Sequence, residues 1–331
     1  MLADILHKIA GDSHNKVMKP FSPKPSNSGP GRCVRQMVFH SMGIEPDSFF
    51  PDRLWMIMDD GNYHEGYTAG WIEESGYRLK DVQKKLKLGF PFNNGYIDGI
   101  VVDIMDIETT YDHKDKGTHM VDKFYSGSDL PLDDFTQLAI YSRHLQINDM
   151  VNSDQCLLLI RNRDTAQYIE YFCRYLVDED CMVIVSLTHS NGDFKELDIP
   201  LKNIYANAIE KFNFVKEMSE KKKLPHRQYY KDSWRCNYCD WKIRCWEGYD
   251  DEKPERAITD LPEEFEETID KYIKWDRIKA IGSKSFDDIK NYMRARNILH
   301  ARMGNILIKR KISTSVAGKK TEKYSHEVID V

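Results

Sequence analysis

The spacing of hydrophobic and polar residues divides the chain into helical and extended segments. After a short amphipathic N-terminal stretch, a helical period predicts a helix following Asp134 and helices over residues 33–42, 52–75, 201–223, 262–281 and 286–299. Alternating or continuous apolar runs predict two adjacent strands within residues 86–110, strands over 154–161, 166–175 and 181–188, and a terminal hairpin of 306–313 and 323–331. The polar segment 112–129 indicates a loop. This mixture indicates an α/β fold.

The two strands predicted within residues 86–110 each carry an acidic residue. Asp98 lies in an apolar run, and Glu108 follows a predicted turn at residues 105–106. Carboxylates among apolar strand residues are costly unless a partner neutralises them, and a hard divalent cation is such a partner. From the local pattern alone, Asp98 before Gly99 also fits a simple turn, so that alternative stays open.

Three cysteines stand close together as Cys236, Cys239 and Cys245, with Cys-x₂-Cys-x₅-Cys spacing. Three close thiols cannot pair evenly as disulfides, so the spacing indicates a metal site. An iron–sulfur cluster usually takes four thiolates, and Cys33 is the favoured fourth because it follows a Pro/Gly/Ser stretch. The other candidates lie in apolar runs: Cys156, Cys173 and Cys181. The alternative is zinc in a small knuckle, with Cys33 an ordinary buried thiol.

Composition sets limits on the class of protein and on its compartment. The net charge of −5 over 331 residues does not indicate a nucleic-acid binder, although a basic groove can coexist with an acidic exterior. The odd number of cysteines, seven, favours a reducing compartment. No apolar run approaches the roughly 18 residues that span a bilayer, and the N-terminus lacks signal-peptide order. We therefore expect a cytoplasmic protein with no membrane partner.

The C-terminal hairpin concentrates positive charge in this acidic chain. Its basic residues are Lys309, Arg310, Lys311, Lys319, Lys320 and Lys323. Such a run suggests a contact with DNA or a protein partner, and a solvated hairpin is the alternative.

Six features in order carry a resemblance to a nuclease family. They are Cys33 after a Ser/Pro loop, Gly61-x-x-His64, Gly95-Tyr96-Ile97-Asp98-Gly99, Ile107-Glu108, Gln137-x-x-x-Tyr141 and the triplet Cys236, Cys239 and Cys245. Together they resemble the RecB-type branch of the PD-(D/E)XK nucleases that carries an iron–sulfur cluster. That branch includes the CRISPR-associated exonucleases, the AddB subunit of bacterial end-resection machines and phage-encoded relatives. The resemblance covers residues 20–250.

The resemblance implies a domain organisation. Residues 21–250 would form a PD-(D/E)XK restriction-endonuclease-like core, in which helices flank a central mixed sheet. A helical lead would precede it at residues 1–20, and C-terminal helices and a hairpin would follow at residues 255–331. A 4Fe–4S cluster would join the N- and C-terminal parts of the core through Cys33, Cys236, Cys239 and Cys245.

The resemblance also implies the residues of an active site. Mg²⁺ or Mn²⁺ would be held by His64, Asp98, Glu108 and the backbone carbonyl of Thr109. Gln137 and Tyr141 would orient the DNA strand or the shell of the metal. The implied reaction is metal-dependent cleavage of DNA, as an exonuclease on single strands or ends. It would serve recombination, replication or phage DNA processing in a bacterial or phage-infected cell, together with a helicase or recombination partner.

One position departs from the family pattern. The family carries a lysine two residues after the glutamate on the same strand face, where this chain has Thr110. Threonine supplies no positive charge, so the pattern predicts slow cleavage or none. The nearest replacements in sequence are Lys114 and Lys116, which lie in the predicted loop. The alternative function is therefore a catalytically inactive, nuclease-derived protein that binds DNA or a partner.

Overall fold

The computed structural model describes residues 2–13, 18–47, 51–248, 255–260, 279–303, 306–314 and 320–328. It divides the chain into two compact units, the first of Met1–Ile44 and Pro51–Lys223 and the second of Glu45–Phe50 and Leu224–Val331. The cysteine triplet therefore belongs to the same unit as the C-terminal hairpin. None of the described helices is long and apolar enough to cross a membrane.

A seven-stranded sheet of order β1-β4-β5-β6-β7-β8-β9 forms the centre of the first unit. These strands are β1 (Arg78–Lys80), β4 (Gly99–Val102), β5 (Glu108–Lys116), β6 (Gln155–Asn162), β7 (Tyr168–Leu176), β8 (Cys181–His189) and β9 (Phe194–Lys202). The pair β5–β6 is parallel and the other neighbours are antiparallel, so the sheet is mixed. A separate two-stranded sheet pairs β2 (Lys85–Lys87) with β3 (Asn94–Tyr96).

Helices cover both faces of the large sheet. The helices of this unit are α1 (Leu2–Ser13), α2 (Val34–Ser41), α3 (Asp52–Glu74), α4 (Thr118–Ser126), α5 (Leu132–Ile147) and α6 (Ile204–Glu220). Because parallel strands need a crossover, α4 and α5 connect β5 to β6. Helix α5 contacts the face of β5 that bears Asp112, and α3 contacts the face that bears His113. The predicted α/β class, with a mixed central sheet flanked by helices, is confirmed.

The hydrophobic core of the first unit explains why strands β6 to β8 could be predicted from the sequence. Every second residue of β6 is buried, and Leu158 and Ile160 are fully so. They belong to one apolar cluster with Phe135 and Leu138 of α5 and with Tyr171 of β7. The three strands predicted between residues 154 and 188 are confirmed. The neighbouring β9 was not predicted.

The predicted loop over residues 112–129 is wrong. Strand β5 continues through five charged or titratable residues to Lys116, and α4 begins directly afterwards at Thr118. The side chains of Asp112 and Asp115 are only 0% and 6% exposed. Burial of these carboxylates is tolerated because each one faces a cationic or hydrogen-bonding partner.

The second unit holds a four-stranded sheet of order β10-β11-β12-β13. Its elements are α7 (Trp234–Asn237), α8 (Lys242–Trp246), β10 (Glu255–Asp260), α9 (Lys279–Ala295), β11 (Ile298–Met303), β12 (Ile306–Thr314) and β13 (Lys320–Val328). The predicted terminal hairpin is confirmed as the antiparallel pair β12–β13. The helix predicted over 262–281 lies outside the described residues except at its last three positions, and the one predicted over 286–299 corresponds to α9.

Arg310 does not belong to an exposed basic surface of the hairpin. Its guanidinium is buried and lies 2.6 Å from Glu322 Oε1, and Glu322 also pairs with Arg294. Lys311 and Lys323 are exposed and stand directly opposite each other across the two strands. Like charges in that position repel, so these lysines do not stabilise the hairpin. Lys319 lies outside the described residues.

We predict that Glu322→Gln destabilises the second unit by about 3 kcal/mol, because it leaves the buried Arg310 without its carboxylate. Lys311→Gln is the control, and it should leave stability unchanged or raise it slightly because it relieves the repulsion with Lys323. Urea denaturation followed by tryptophan fluorescence measures both. Equal stability of the two variants would contradict a structural role for the pair.

Candidate active site

Asp98 is fixed at the point where the chain passes from the small sheet into the large one. The register pairs Gly99 with Tyr111, so Asp98 precedes β4 opposite Asp112 of β5. Its Oδ2 atom accepts a hydrogen bond from the backbone N–H of His113 at 2.7 Å. Asp98 is therefore bound to the backbone of β5 beside Asp112, and it does not merely form a turn.

Asp112 and Lys114 project from one face of β5, because successive strand residues alternate between faces. Lys114 Nζ lies 2.5 Å from Asp112 Oδ2 and 3.9 Å from Asp98 Oδ2. The side chain of Asp112 is fully buried, and those of Asp98 and Lys114 are 11% and 19% exposed. Two carboxylates and one ammonium group thus meet at the start of β4.

Burial and mutual attraction control the charges of this group. Burial raises the pKa of Asp112 to about 7, although the Lys114 ammonium opposes that shift. Burial alone would lower the pKa of Lys114, but the carboxylates of Asp112, Asp98 and Asp134 outweigh it and raise that pKa. Lys114 therefore stays charged, while Asp112 is a carboxylate whose ionised form any further cation would favour.

Helix α5 supplies two polar side chains to the same place. The Gln137 side-chain amide donates a hydrogen bond to Asp112 Oδ1 at 3.0 Å. Tyr141 follows four residues later on the same side of the helix. Its ring lies against Gly95, where an added Cβ would stand 2.5 Å from Tyr141 Cε1. Burial, reinforced by Asp112 and Asp98, raises the pKa of Tyr141, so the hydroxyl stays neutral and can donate a hydrogen bond.

Glu65 is a further carboxylate of the site that sequence reasoning missed. The Gln83 side-chain amide donates to Glu65 Oε1 and, at 3.4 Å, to Asp98 Oδ1. Burial, together with the negative charge of Asp98, raises the pKa of Glu65 to about 7. The signal in the sequence was its place beside His64 on a helix predicted to approach the site.

The resemblance implies that His64 shares a metal ion with Asp98 and Glu108, but in the structure His64 contacts another carboxylate. Its Nδ1 atom lies 3.0 Å from Asp115 Oδ2, and Arg161 Nη1 lies 3.4 Å from Asp115 Oδ1. Asp115 is three residues after Asp112, so its side chain projects from the opposite face of β5. The structure therefore places His64 beside Asp115.

The predicted roles of Glu108, Thr109 and Thr110 need correction. Glu108 pairs in register with Val102, four residues before Asp112, which is about 13 Å along a strand. Its carboxylate lies 2.8 Å from Lys80 Nζ and accepts a hydrogen bond from the backbone N–H of Asn152 at 3.1 Å. The Thr109 hydroxyl donates to Gln155 Oε1 at 3.1 Å, and Thr110 is buried. The contacts of Glu108 and Thr109 are thus with Lys80, Asn152 and Gln155, and Thr110 is buried two residues before Asp112.

The acid-x-lysine pattern is present four residues later, as Asp112-His113-Lys114. Asp112 takes the position predicted for Glu108, and Lys114 takes the position predicted for a lysine at Thr110. Lys114 lies on the strand face that the pattern requires, two residues after a carboxylate that is adjacent to Asp98.

Cys33 stands at the start of α2, at the end of a tightly held loop. The Lys211 ammonium donates to the backbone carbonyls of Gly29 and Arg32 at 2.5 and 2.9 Å. Asp133 accepts a hydrogen bond from the backbone N–H of Gly31 at 2.7 Å. Cys33 is half-buried, in contrast to the strand cysteines Cys156, Cys173 and Cys181, which are buried.

The cysteine triplet of the second unit lies on the two short helices α7 and α8 and the turn between them. The carboxylate of Asp47 accepts hydrogen bonds from the backbone N–H groups of Ile243 and Arg244, at 3.2 and 2.5 Å. Arg227 donates to the carbonyl of Cys245 at 2.9 Å. All three cysteines are half-buried. Of the surrounding aromatic residues, Trp241 is buried, whereas Trp234 and Tyr238 are exposed.

Comparisons with known proteins do not indicate a function for this chain. No family model matches the chain, and no curated protein matches it. Among solved structures, the chain is similar to SSO0001, whose crystal structure aligns at 14% identity over 73% of this chain and 95% of that chain, with a TM-score of 0.33. A TM-score of 0.33 is too low to support an inference about the fold or the function of this chain. Within the described ranges, no three His, Cys, Asp or Glu side chains are grouped as a metal site.

We predict that Lys114→Met lowers the free energy of unfolding by about 3 kcal/mol in metal-free protein at pH 8, because it leaves the buried Asp112 carboxylate without its ammonium partner. The double variant Asp112→Asn, Lys114→Met should recover most of that loss. Urea denaturation of the wild type, both single variants and the double variant gives the coupling energy. Strict additivity would show that the two side chains do not form a coupled pair.

Proposed function

We propose that the chain is a metal-dependent DNA nuclease of the PD-(D/E)XK class and of its RecB-type, iron–sulfur branch. The observation that carries this proposal is the convergence of Asp98, Asp112 and Lys114 at adjacent strand positions. Gln137 and Tyr141, which the resemblance implies for the same site, lie beside them. Two carboxylates held next to a charged lysine are suited to phosphodiester hydrolysis.

The donor atoms of the site fit a hard divalent cation. Asp98 and Asp112 offer carboxylate oxygens, the ligands that Mg²⁺ and Mn²⁺ prefer. When bound there, such an ion would polarise the phosphate and lower the pKa of an attacking water. Burial raises the pKa of Asp112, and a cation bound beside it would favour the carboxylate form.

The other residues of the site have separable roles. The Lys114 ammonium is held at a fixed position and would offset the negative charge that develops on the phosphate oxygens. The Gln137 amide donates a hydrogen bond to Asp112 Oδ1. This contact orients the Asp112 carboxylate so that Oδ2 faces Lys114. Tyr141, which stays neutral, would donate a hydrogen bond to the DNA strand.

The inactive-protein alternative loses the observation on which it depended. It was based on Thr110 at the position of the expected lysine, and Lys114 now supplies that charge. A protein that only binds DNA would gain nothing from buried carboxylates, because their desolvation is costly. We therefore favour an active nuclease.

The four predicted cluster ligands are Cys33, Cys236, Cys239 and Cys245, and thiolates are the ligands of a 4Fe–4S cluster. Their half-buried state supports the proposal, because the remaining cysteines are buried inside strands. The cluster would be structural, restricting the unfolded chain over a long loop.

DNA, as single strands or ends, is the proposed substrate. A helicase or recombination protein stays the proposed partner.

We predict that Asp112→Asn and Lys114→Met each lower Mn²⁺-dependent cleavage of end-labelled single-stranded DNA at least a hundredfold, since loss of about 3 kcal/mol of transition-state stabilisation has that effect. Glu108→Gln is the matched carboxylate control and should cut within about twofold of wild type. Thr110→Lys should not raise the rate, because the required lysine is already present. If Glu108→Gln lost cleavage and Asp112→Asn cleaved normally, Glu108 and not Asp112 would be the catalytic carboxylate.

We predict that anaerobically purified protein is brown and contains iron, and that its visible absorbance bleaches on reduction. Serine at position 33, 236, 239 or 245 should remove the iron and lower the yield of folded protein, because cluster binding contributes to folding. The controls Cys156→Ser and Cys173→Ser should retain their iron. Colourless protein that holds one zinc per chain would exclude the cluster.

A further inference from the structure

A cavity of about 380 Å³ lies beside Gln137 and Tyr141 in the first unit. Its walls come from the loop before α2 and from the small sheet, and they include Ser22, Lys24, Ser26, Lys85 and Asn94. Ligand-binding clefts range from about 300 to 1,000 Å³, so this cavity is at the small end. It has room for a single nucleotide and not for a duplex.

The walls of the cavity are held in place by their own contacts. On one side, Pro25 is buried and begins a short 3₁₀ turn, Pro25–Asn27. The Asn93 side-chain amide donates a hydrogen bond to Ser22 Oγ at 3.0 Å, which links that loop to the small sheet. On the other side, the Tyr141 ring lies against Gly95. A cavity with fixed walls needs little reorganisation when a ligand enters.

The two lysines of the cavity differ from the other lysines nearby. Lys80, Lys84, Lys114 and Lys116 all pair with carboxylates. Lys24 and Lys85 are exposed, and neither forms an ion pair with any residue in the part of the chain that the structure describes. Two ammonium groups without ion-pair partners at the edge of the cavity favour an anionic ligand, and a phosphate group is such an anion.

Gln137 joins this basic cavity to the acidic group around Asp112. Its side chain donates to Asp112 Oδ1 and also lines the cavity. A DNA strand whose cleaved phosphate lies at the carboxylates would therefore bring a neighbouring nucleotide into the cavity. The site would then be acidic where the metal binds and basic where an intact phosphate is held.

We propose that this cavity binds the nucleotide next to the cleaved bond, with its phosphate held by Lys24 and Lys85. Ser22, Ser26 and Asn94 supply neutral hydrogen-bonding groups to the sugar and the base edge. This assignment depends on the proposed nuclease function for the identity of the ligand. It adds a binding subsite that determines where along a single strand the cut is made.

The test is the affinity for a fluorescein-labelled single-stranded oligothymidylate, measured by anisotropy in EDTA over a series of salt concentrations. We expect Lys24→Gln and Lys85→Gln each to weaken binding about fivefold and to lower the slope of log K against log salt by about 0.7, the value for one phosphate contact on a single strand. Lys87→Gln is the matched control, because Lys87 is exposed on the same strand as Lys85 and does not line the cavity. It should bind as the wild type does.

Wild-type affinity and slope in both cavity variants would overturn the proposal, and so would an equal loss in Lys87→Gln. Failure of the cavity is distinguishable from failure of the nuclease function. If the wild type cleaves DNA with Mn²⁺ and Lys24→Gln and Lys85→Gln bind DNA normally, the cavity is not a nucleotide subsite and the nuclease function stands. If DNA binding depends on Lys24 and Lys85 but the wild type never cleaves DNA, the cavity is a nucleotide-binding site and the nuclease function is excluded.

Discussion

The buried ion pair between Asp112 and Lys114 is the constraint on which the first unit depends. Removing two opposite charges from water is costly, and good geometry with additional hydrogen bonds must offset that cost. The surrounding structure supplies these contacts: the Gln137 amide bonds Asp112, and the carboxylates of Asp98 and Asp134 act on Lys114. The position of α5 on the sheet and the place where β4 begins are therefore tied to the same charges that would perform the chemistry.

This dependence explains which parts of the fold were predictable from the sequence. Strands β6 to β8 were predicted because each buries alternating apolar residues, a pattern that needs no knowledge of tertiary partners. The sequence predicts a loop for the second half of β5, because charged residues such as Asp112, Lys114 and Lys116 are typical of solvent-exposed segments. Asp112 is buried and the two lysines are half-buried, because oppositely charged partners neutralise them, as Asp134 does for Lys116 at 2.8 Å. A strand of that kind carries no hydrophobic signal.

The candidate site was predictable in part for the same reason. Asp98, Gln137 and Tyr141 were assigned from motifs, and the structure brings them together. Asp112 could also have been found by counting. Asp98 and Asp112 each lie seven residues from Met105, which was predicted to be in the turn, so a simple hairpin places them opposite each other. Glu65 could not be found in this way, because its approach to Asp98 depends on how α3 crosses the sheet.

The distribution of lysines shows how an acidic chain can be suited to a polyanionic substrate. Net charge governs long-range attraction, but the local field depends on which cations have no carboxylate beside them. In the first unit, Lys80 pairs with Glu108 and Lys116 with Asp134, which joins β1 to β5 and β5 to α5, and Lys84 pairs locally with Asp81. The ammonium groups of Lys24 and Lys85 stand at the cavity without such partners in the described chain. Positive charge is thus left over at the cavity, beside the carboxylates to which we assign the proposed cleavage.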